Sequence, residues 1–232
     1  MAEERIAERI DANLLDVTME DLHDMPQQLY DGKIKKLREK TQGQLIIKEY
    51  PTASAHSGHF KSLMNELALK KSFRPDVIFI DYLNICASSR FKGGNISSYF
   101  YVKAIAEELR GLAVEFNVPI FSATQTTRTG YVSSDIGLED TSESFGLPAT
   151  ADFMFALISN EELEALGQMK VKQLKNRYND PSINRAFIIG VDRSKMRLYD
   201  VQQKAQEIVD ANQVDEKEDA YNKFSDFKLW NT

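Results

Sequence analysis

The chain has 232 residues, of which 42% are hydrophobic and 28% charged, and its formal net charge is −6 at pH 7. This length predicts one domain with a sizeable core. The acidic balance excludes a protein that coats nucleic acid with its whole surface, but a local basic channel remains open. No apolar run is long enough to cross a bilayer and the charged N-terminus is not a secretory signal, so we expect a cytoplasmic protein with no membrane partner.

Cysteine and histidine are too sparse to indicate a disulfide framework or a metal centre built from these ligands. Cys86 is the single cysteine, which fits a reducing compartment, and we expect it to be a small packed residue. His56 and His59 have the spacing of half a metal site, but no further ligand motif accompanies them. They are predicted to be surface histidines.

The N-terminal part is predicted to be mostly helical. Apolar residues at helical spacing predict helices over residues 1–15, 27–42 and 57–71. Thr18 begins a further short helix that Pro26 ends, and Gly43 is the expected C-terminal cap of the third helix. The run from Leu45 to Tyr50 predicts a strand.

The stretch from Val77 to Ile80 predicts a short strand that is buried on both faces. Asp81 follows directly, where such a strand would leave the sheet. Ligands of open α/β sheets collect at the carboxyl ends of the strands, and a carboxylate there suits magnesium, usually through its water shell. The alternative is an ordinary core strand that ends in a solvated Asp.

Two later strands also end in polar groups. Ser98 to Phe116 predicts a helix, and the buried strand that follows it reaches Gln125. After a long loop over residues 129–144, strands are predicted over 153–158, 171–176, 185–191 and 196–201. Lys175 and Arg177 end one of them. The pattern predicts an α/β fold with a mostly parallel twisted sheet flanked by helices and antiparallel strands at its C-terminal edge.

A carboxylate, an amide and two cations at strand ends are the groups that phosphoryl transfer requires. Their order resembles the RecA-like C-terminal motor domain of DnaB-type replicative helicases, and looks closest to the helicases of T-even-type phages. The resemblance covers residues 1–201. We expect residues 202–232, which are polar and acidic, to be a tail that is disordered or docks on a partner.

The resemblance implies ATP and Mg²⁺ as cofactors and assigns four residues to the nucleotide. Asp81, within Ile-Asp-Tyr-Leu, would act on the metal, and Gln125 would contact the γ-phosphate. Lys175 and Arg177 would reach the nucleotide of a neighbouring subunit, although the Asn-Asp-Pro after Tyr178 departs from the usual Asn-Gly turn of the family. Each has a plainer alternative: Gln125 as a strand cap, and the two cations as a solvated face.

The resemblance also implies contacts with single-stranded DNA. Arg90, Lys92 and Arg128 occupy the positions where the family lines its central channel, so they would meet phosphates with little sequence preference. The alternative interpretation is that these three residues are only charges on the surface. Residues 143–152 match the family's fourth motif in length and at both ends, but the middle of the motif differs.

The sequence contains no Gly-x-x-x-x-Gly-Lys-Ser/Thr phosphate loop. Without one, nothing cradles the β- and γ-phosphates, so we expect the chain alone neither to hydrolyse ATP nor to fold tightly. It is interpreted as the C-terminal portion of a hexameric, ATP-driven DNA helicase, complemented by an N-terminal helicase fragment and served by a primase and a loader in the bacterial host cytoplasm. The alternatives are an inactive remnant or interaction module, and another RecA-type ATPase such as a recombinase.

Overall fold

The computed structural model describes residues 2–91, 96–126, 137–138, 146–180 and 183–201. Lys92, Arg128, residues 143–145 of the fourth motif and the tail over residues 202–232 lie outside these ranges, so the predictions for them stay predictions. No helix in the described ranges is long and apolar enough to span a membrane.

Seven helices and six strands are present in the described ranges. The helices are α1 (Glu3–Leu15), α2 (Met19–His23), α3 (Gln27–Lys40), α4 (Ser57–Lys71), α5 (Ser98–Phe116), α6 (Gly146–Thr150) and α7 (Glu161–Ala165). The strands are β1 (Ile78–Ile80), β2 (Ile120–Ser122), β3 (Phe153–Ile158), β4 (Gln168–Asn176), β5 (Ala186–Asp192) and β6 (Arg197–Asp200). A 3-10 turn covers Leu83–Ile85.

The strands form two sheets. β1 and β2 pair in parallel, and the other four lie in the order β3-β4-β5-β6 with antiparallel pairing from β4 to β6. The predicted α/β class and the antiparallel C-terminal strands are confirmed, and the parallel and antiparallel pairings lie in separate sheets. Directly after β1, a cis peptide bond joins Asp81 to Tyr82.

Several helix boundaries follow from their capping residues. Thr18 accepts a hydrogen bond from the Asp21 backbone N–H at 3.0 Å and so begins α2, as predicted. Asn160 caps α7 in the same way, accepting from the Leu163 N–H at 2.8 Å. Asn117 ends α5 in the left-handed conformation, with a φ of 53°.

Two local predictions in the N-terminal part are wrong. The third helix ends at Lys40 with Thr41 as its cap, before it reaches Gly43. Residues 45–50 form no strand. A short apolar run becomes a strand only where a neighbouring strand accepts its backbone hydrogen bonds, and none of the described strands pairs with this one.

The described residues divide into two compact units. The first comprises residues 2–49, 157–172 and 183–201, and the second comprises residues 173–180 and the described residues of 50–156. In the first unit, the carboxylate of Asp16, just after α1, pairs with Lys195 at 3.2 Å and with Arg197 at 2.9 Å. Hydrogen bonds from these two side chains lower the pKa of Asp16. The end of α1 is therefore held beside the β5–β6 turn.

The core of the second unit is built around α5. Ile105 is its most buried large side chain, and the residues packed with it come from the turn after β1, from α5 and from α6. The buried members are Leu83, Cys86, Val102, Ile105, Ala106, Leu109 and Leu147. Removing such side chains from water is the main favourable contribution to the stability of the unit.

The two phenylalanines of the small sheet do not join this core. Phe79 is 72% exposed and Phe121 is 49% exposed, and their rings stack with centroids 5.3 Å apart. The predictions that β1 is buried on both faces and that β2 is a buried strand are therefore wrong. Ile80 packs against the core from one face of β1, whereas Phe79 points to the other face.

Candidate functional site

The parallel pairing of β1 and β2 brings the predicted strand-end residues to one edge of the small sheet. The register runs from Ile78 opposite Ile120 to Ile80 opposite Ser122, so Asp81 and Gln125 both follow the carboxyl ends of their strands. The pairing continues beyond the strands, because the Leu83 N–H donates to the Ala123 carbonyl at 3.2 Å.

The strand-end pair, Asp81 and Gln125, is linked through a neighbouring side chain. The Gln125 Nε2 donates to the Tyr82 hydroxyl at 3.3 Å, and Tyr82 is the next residue after Asp81. Beside them, the Thr124 hydroxyl donates to Asn84 Oδ1 at 2.8 Å. The Asp81 carboxylate is exposed and has no hydrogen-bonding or ion-pairing partner among the described residues.

A single open carboxylate fits one way of binding magnesium. Mg²⁺ keeps several waters and takes one or two carboxylates together with substrate phosphates. The described residues contain no cluster of three or more His, Cys, Asp and Glu side chains that could hold a metal ion. Asp81 could hold the ion, and Gln125 offers an amide at the same edge of the sheet.

Lys175 and Arg177 lie in a different group of charges, here named the Asp152 cluster: Asp152, Arg110, Lys175 and Arg177. The Arg177 guanidinium pairs with Asp152 Oδ1 at 3.0 Å, and Arg110 pairs with the same oxygen at 2.8 Å. The backbone of Arg177 also donates to the Asp152 carbonyl at 3.0 Å. One carboxylate therefore holds two arginines.

The three cations also bind the C-terminal carbonyls of α6. Lys175 Nζ donates to the Pro148 carbonyl, Arg177 Nη2 donates to the Ala149 carbonyl at 2.9 Å, and Arg110 Nη1 donates to the Thr150 carbonyl. Helix C-termini attract cations because their last carbonyls have no partner within the helix.

The Asp152 cluster contains more positive than negative charge, with three cations around one carboxylate. Burial and the positive charges of Arg177 and Arg110 lower the pKa of Lys175, although Asp152 opposes them. A site of this kind attracts anions such as phosphate oxygens. Sequence reasoning identified Lys175 and Arg177 but missed Arg110, because its partner Asp152 is 42 positions away in the sequence and no local pattern joins them.

Arg90, predicted to meet DNA, lies within the segment between β1 and α5. Its guanidinium pairs with Glu107 of α5 at 2.6 Å, and both side chains are partly exposed. Lys92 and Arg128, its two predicted companions, lie outside the described residues. The strand-end pair, the Asp152 cluster and Arg90 share no hydrogen bond or ion pair with one another among the described residues.

Three other reactive side chains have structural roles. Cys86 is buried as predicted, and burial raises the pKa of its thiol to about 11. His56 accepts from the Gly58 N–H at 3.0 Å, and its own backbone N–H donates to the His59 ring at 3.3 Å. The two histidines therefore cap the start of α4, a role that the metal-site and surface interpretations both missed.

Known proteins match this chain in sequence and in fold. Residues 1–196 match the model of the DnaB-like helicase C-terminal domain family. The chain is 44% identical over 231 residues to the DnaB-like replicative helicase of Enterobacteria phage T4, with 96% of this chain and 49% of that protein aligned. The chain thus spans about half the length of this curated relative.

Two solved structures share the fold at 16% sequence identity. The first is an ATPase domain, with a TM-score of 0.71 over 87% of this chain and 72% of that chain. The second is a DnaB-like replicative helicase whose structure was determined with its interactions with primase, with a TM-score of 0.68 over 87% of this chain and 49% of that chain. By family model, relative and fold together, the chain belongs to the DnaB-like helicase C-terminal domain family.

Proposed function

We propose that the chain works in an ATP-driven replicative DNA helicase that translocates on single-stranded DNA and unwinds duplex DNA at the fork. The observation that supports this proposal is the parallel β1–β2 pair, whose strands are both followed at their carboxyl ends by a predicted site residue, Asp81 after β1 and Gln125 after β2. Ligand sites of parallel sheets lie at this end.

Each strand-end residue has one role in this proposal. Asp81 organises Mg²⁺, which neutralises charge on the phosphates of ATP. Gln125 contacts the γ-phosphate, and its hydrogen bond to Tyr82 couples it to the residue beside Asp81. The groups that would cradle the β- and γ-phosphates are not among the motifs of this sequence.

The Asp152 cluster acts in trans in this proposal. Lys175 and Arg177 face the nucleotide of a neighbouring subunit in a hexameric ring and stabilise charge on the transferred phosphoryl group. Arg177 has two guanidinium contacts, one to Asp152 and one to the Ala149 carbonyl. A phosphate would replace one of these two contacts, while the other contact keeps the Arg177 guanidinium oriented.

The partners follow from the same proposal. Arg90, Lys92 and Arg128 contact the phosphates of single-stranded DNA. Ring formation, an N-terminal helicase fragment that supplies a phosphate loop, a primase and a helicase loader complete the assembly in the cytoplasm of the bacterial host. The interaction of one solved structure with primase supports the primase as a partner.

The proposal is tested by measuring DNA-stimulated ATP hydrolysis. The purified chain is assayed alone and mixed with an N-terminal fragment of this family that carries a phosphate loop. We expect turnover only in the mixture. We expect Asp81→Asn to reduce it by about 10²-fold or more, and Arg177→Gln by about 10³-fold, because each removes a charge that acts on the transferred phosphoryl group. Asp76→Asn, an exposed Asp on the approach to β1, is the matched control.

A second candidate function is an inactive interaction module of such a helicase. The sequence favours it in one respect, because the phosphate-loop motif is absent. A mixture that forms a complex but never hydrolyses ATP would support this module and contradict the motor. Turnover by the chain alone would contradict the expectation that it is inactive by itself.

A further inference from the structure

One carboxylate on α5 anchors the segment that presents Arg90. Glu108 accepts hydrogen bonds from the hydroxyls of Ser88 at 2.6 Å and Ser89 at 2.7 Å. It also accepts from the backbone N–H groups of Ser89 at 2.9 Å and Arg90 at 3.3 Å. The Ser57 hydroxyl, at the start of α4, donates to it at 2.8 Å. Glu108 therefore fixes the backbone that carries the Arg90 side chain.

Ser88, one of the residues bound by Glu108, has a further contact. Ser88 is buried, and its N–H donates to the Tyr101 hydroxyl at 3.1 Å. Burial raises the pKa of Glu108, but the hydrogen bonds from Ser88, Ser89 and Ser57 outweigh it and bring the pKa to about 2. Glu108 is therefore ionised at neutral pH, and charge-assisted hydrogen bonds are stronger than neutral ones.

Glu107, the residue before Glu108, contacts the guanidinium end of Arg90 rather than its backbone. Glu107 pairs with the Arg90 guanidinium at 2.6 Å, with the two side chains 38% and 51% exposed. An ion pair this exposed contributes little free energy, so a phosphate can replace the carboxylate at modest cost. Glu107 and Glu108 thus hold the same residue by its side chain and its backbone.

We propose that these adjacent glutamates have opposite effects on the contact between Arg90 and single-stranded DNA. Glu108 is a positioning residue that strengthens the contact by fixing the segment Ser88–Arg90. Glu107 weakens the contact because it competes with phosphate for the guanidinium. This inference rests on the proposed function in one respect, namely that Arg90 meets DNA phosphates.

The test compares three charge neutralisations on the same helix. Glu107→Gln, Glu108→Gln and Glu115→Gln each remove one negative charge from α5, and Glu115 pairs with Lys61, away from the anchor. General electrostatics predicts that all three bind fluorescently labelled oligo-dT more tightly, and to a similar degree. Glu115→Gln therefore measures this background effect.

Positioning by Glu108 and competition by Glu107 predict a different order of DNA affinities among the variants. Relative to Glu115→Gln, we expect Glu107→Gln to bind about two- to fivefold more tightly, the range that an exposed ion pair allows. Glu108→Gln is expected to bind more weakly than the unchanged chain, and its salt slope to fall by about 0.7, the value for one phosphate contact on a single strand. We expect Arg90→Gln to give the same loss of affinity as Glu108→Gln. The double variant that combines Arg90→Gln with Glu108→Gln should lose no more affinity than either single variant.

Ser89→Ala keeps every charge but removes one donor to Glu108, so weaker binding by this variant reports the anchor even if Glu108→Gln fails to fold. Equal affinities for the three glutamine variants, or unchanged binding by Ser89→Ala, would overturn the inference. If Arg90→Gln binds DNA as well as the unchanged chain, the DNA contact in the proposed function fails, and this inference fails with it.

Discussion

The strand-end pair and the Asp152 cluster differ in how their charges are held. The Asp81 carboxylate is exposed and has no partner among the described residues, whereas the Asp152 carboxylate binds two arginines at 2.8 and 3.0 Å. The cations of the Asp152 cluster also bind three successive carbonyls of α6. One site is open to a ligand, and the other is held in place by its own chain.

This contrast indicates where substitutions should affect stability and where they should affect only function. Changing a group with several protein partners leaves those partners unsatisfied, which costs free energy of folding. Changing an exposed group without such partners leaves the fold intact and removes only what that group does for a ligand. The following predictions test this contrast, beginning with the largest expected change.

Asp152→Asn should have the largest effect on stability. The substitution removes the charge that Arg110 and Arg177 share, and leaves three neighbouring cations without a counter-charge. We expect the free energy of unfolding to fall by about 1–2 kcal/mol, after discounting for the partial exposure of these side chains. Urea unfolding measures this change. Asp76→Asn serves as control and should stay within about 0.5 kcal/mol of the unchanged chain.

Arg110→Gln should cost less, because Arg177 still neutralises Asp152. We expect a loss of about 1 kcal/mol in the free energy of unfolding. The double variant with Asp152→Asn should lose less than the sum of the two single losses, because both act on the same ion pair. Strict additivity would mean that Arg110 and Asp152 do not interact in solution.

Lys175 should give the cluster a smaller, pH-dependent contribution. Its pKa is lowered in the folded chain, so between that lowered value and the ordinary lysine value the unfolded state binds more protons. The stability of the unchanged chain should therefore rise with pH across this window relative to Lys175→Met. Unfolding curves measured from neutral pH up to about 10.5 test the sign, and a falling difference would contradict it.

Asp81→Asn and Gln125→Ala should have the smallest effect on stability. Both side chains are exposed, so we expect changes within about 0.5 kcal/mol in the free energy of unfolding. Magnesium-dependent ATP hydrolysis in the mixed assay should nevertheless fall sharply for both. A loss of stability as large as that of Asp152→Asn would erase the contrast between the two sites.

Local sequence patterns were enough to predict most elements and the order of their polar ends. Helical spacing located α4 and α5, and Thr18 marked the start of α2 because capping depends on residues only a few positions apart. The placement of Asp81 and Gln125 was also predictable, since carboxyl ends of paired parallel strands meet at one edge.

The long-range contacts, in contrast, became visible only in the folded chain. Nothing in the sequence joins Arg110 to Asp152, or Glu108 to Ser88, because no period or motif relates residues on separate elements. The exposure of Phe79 could not be predicted for the same reason. Its apolar neighbours predicted burial on both faces, but burial depends on what packs against each face of a strand, and no local pattern contains that information.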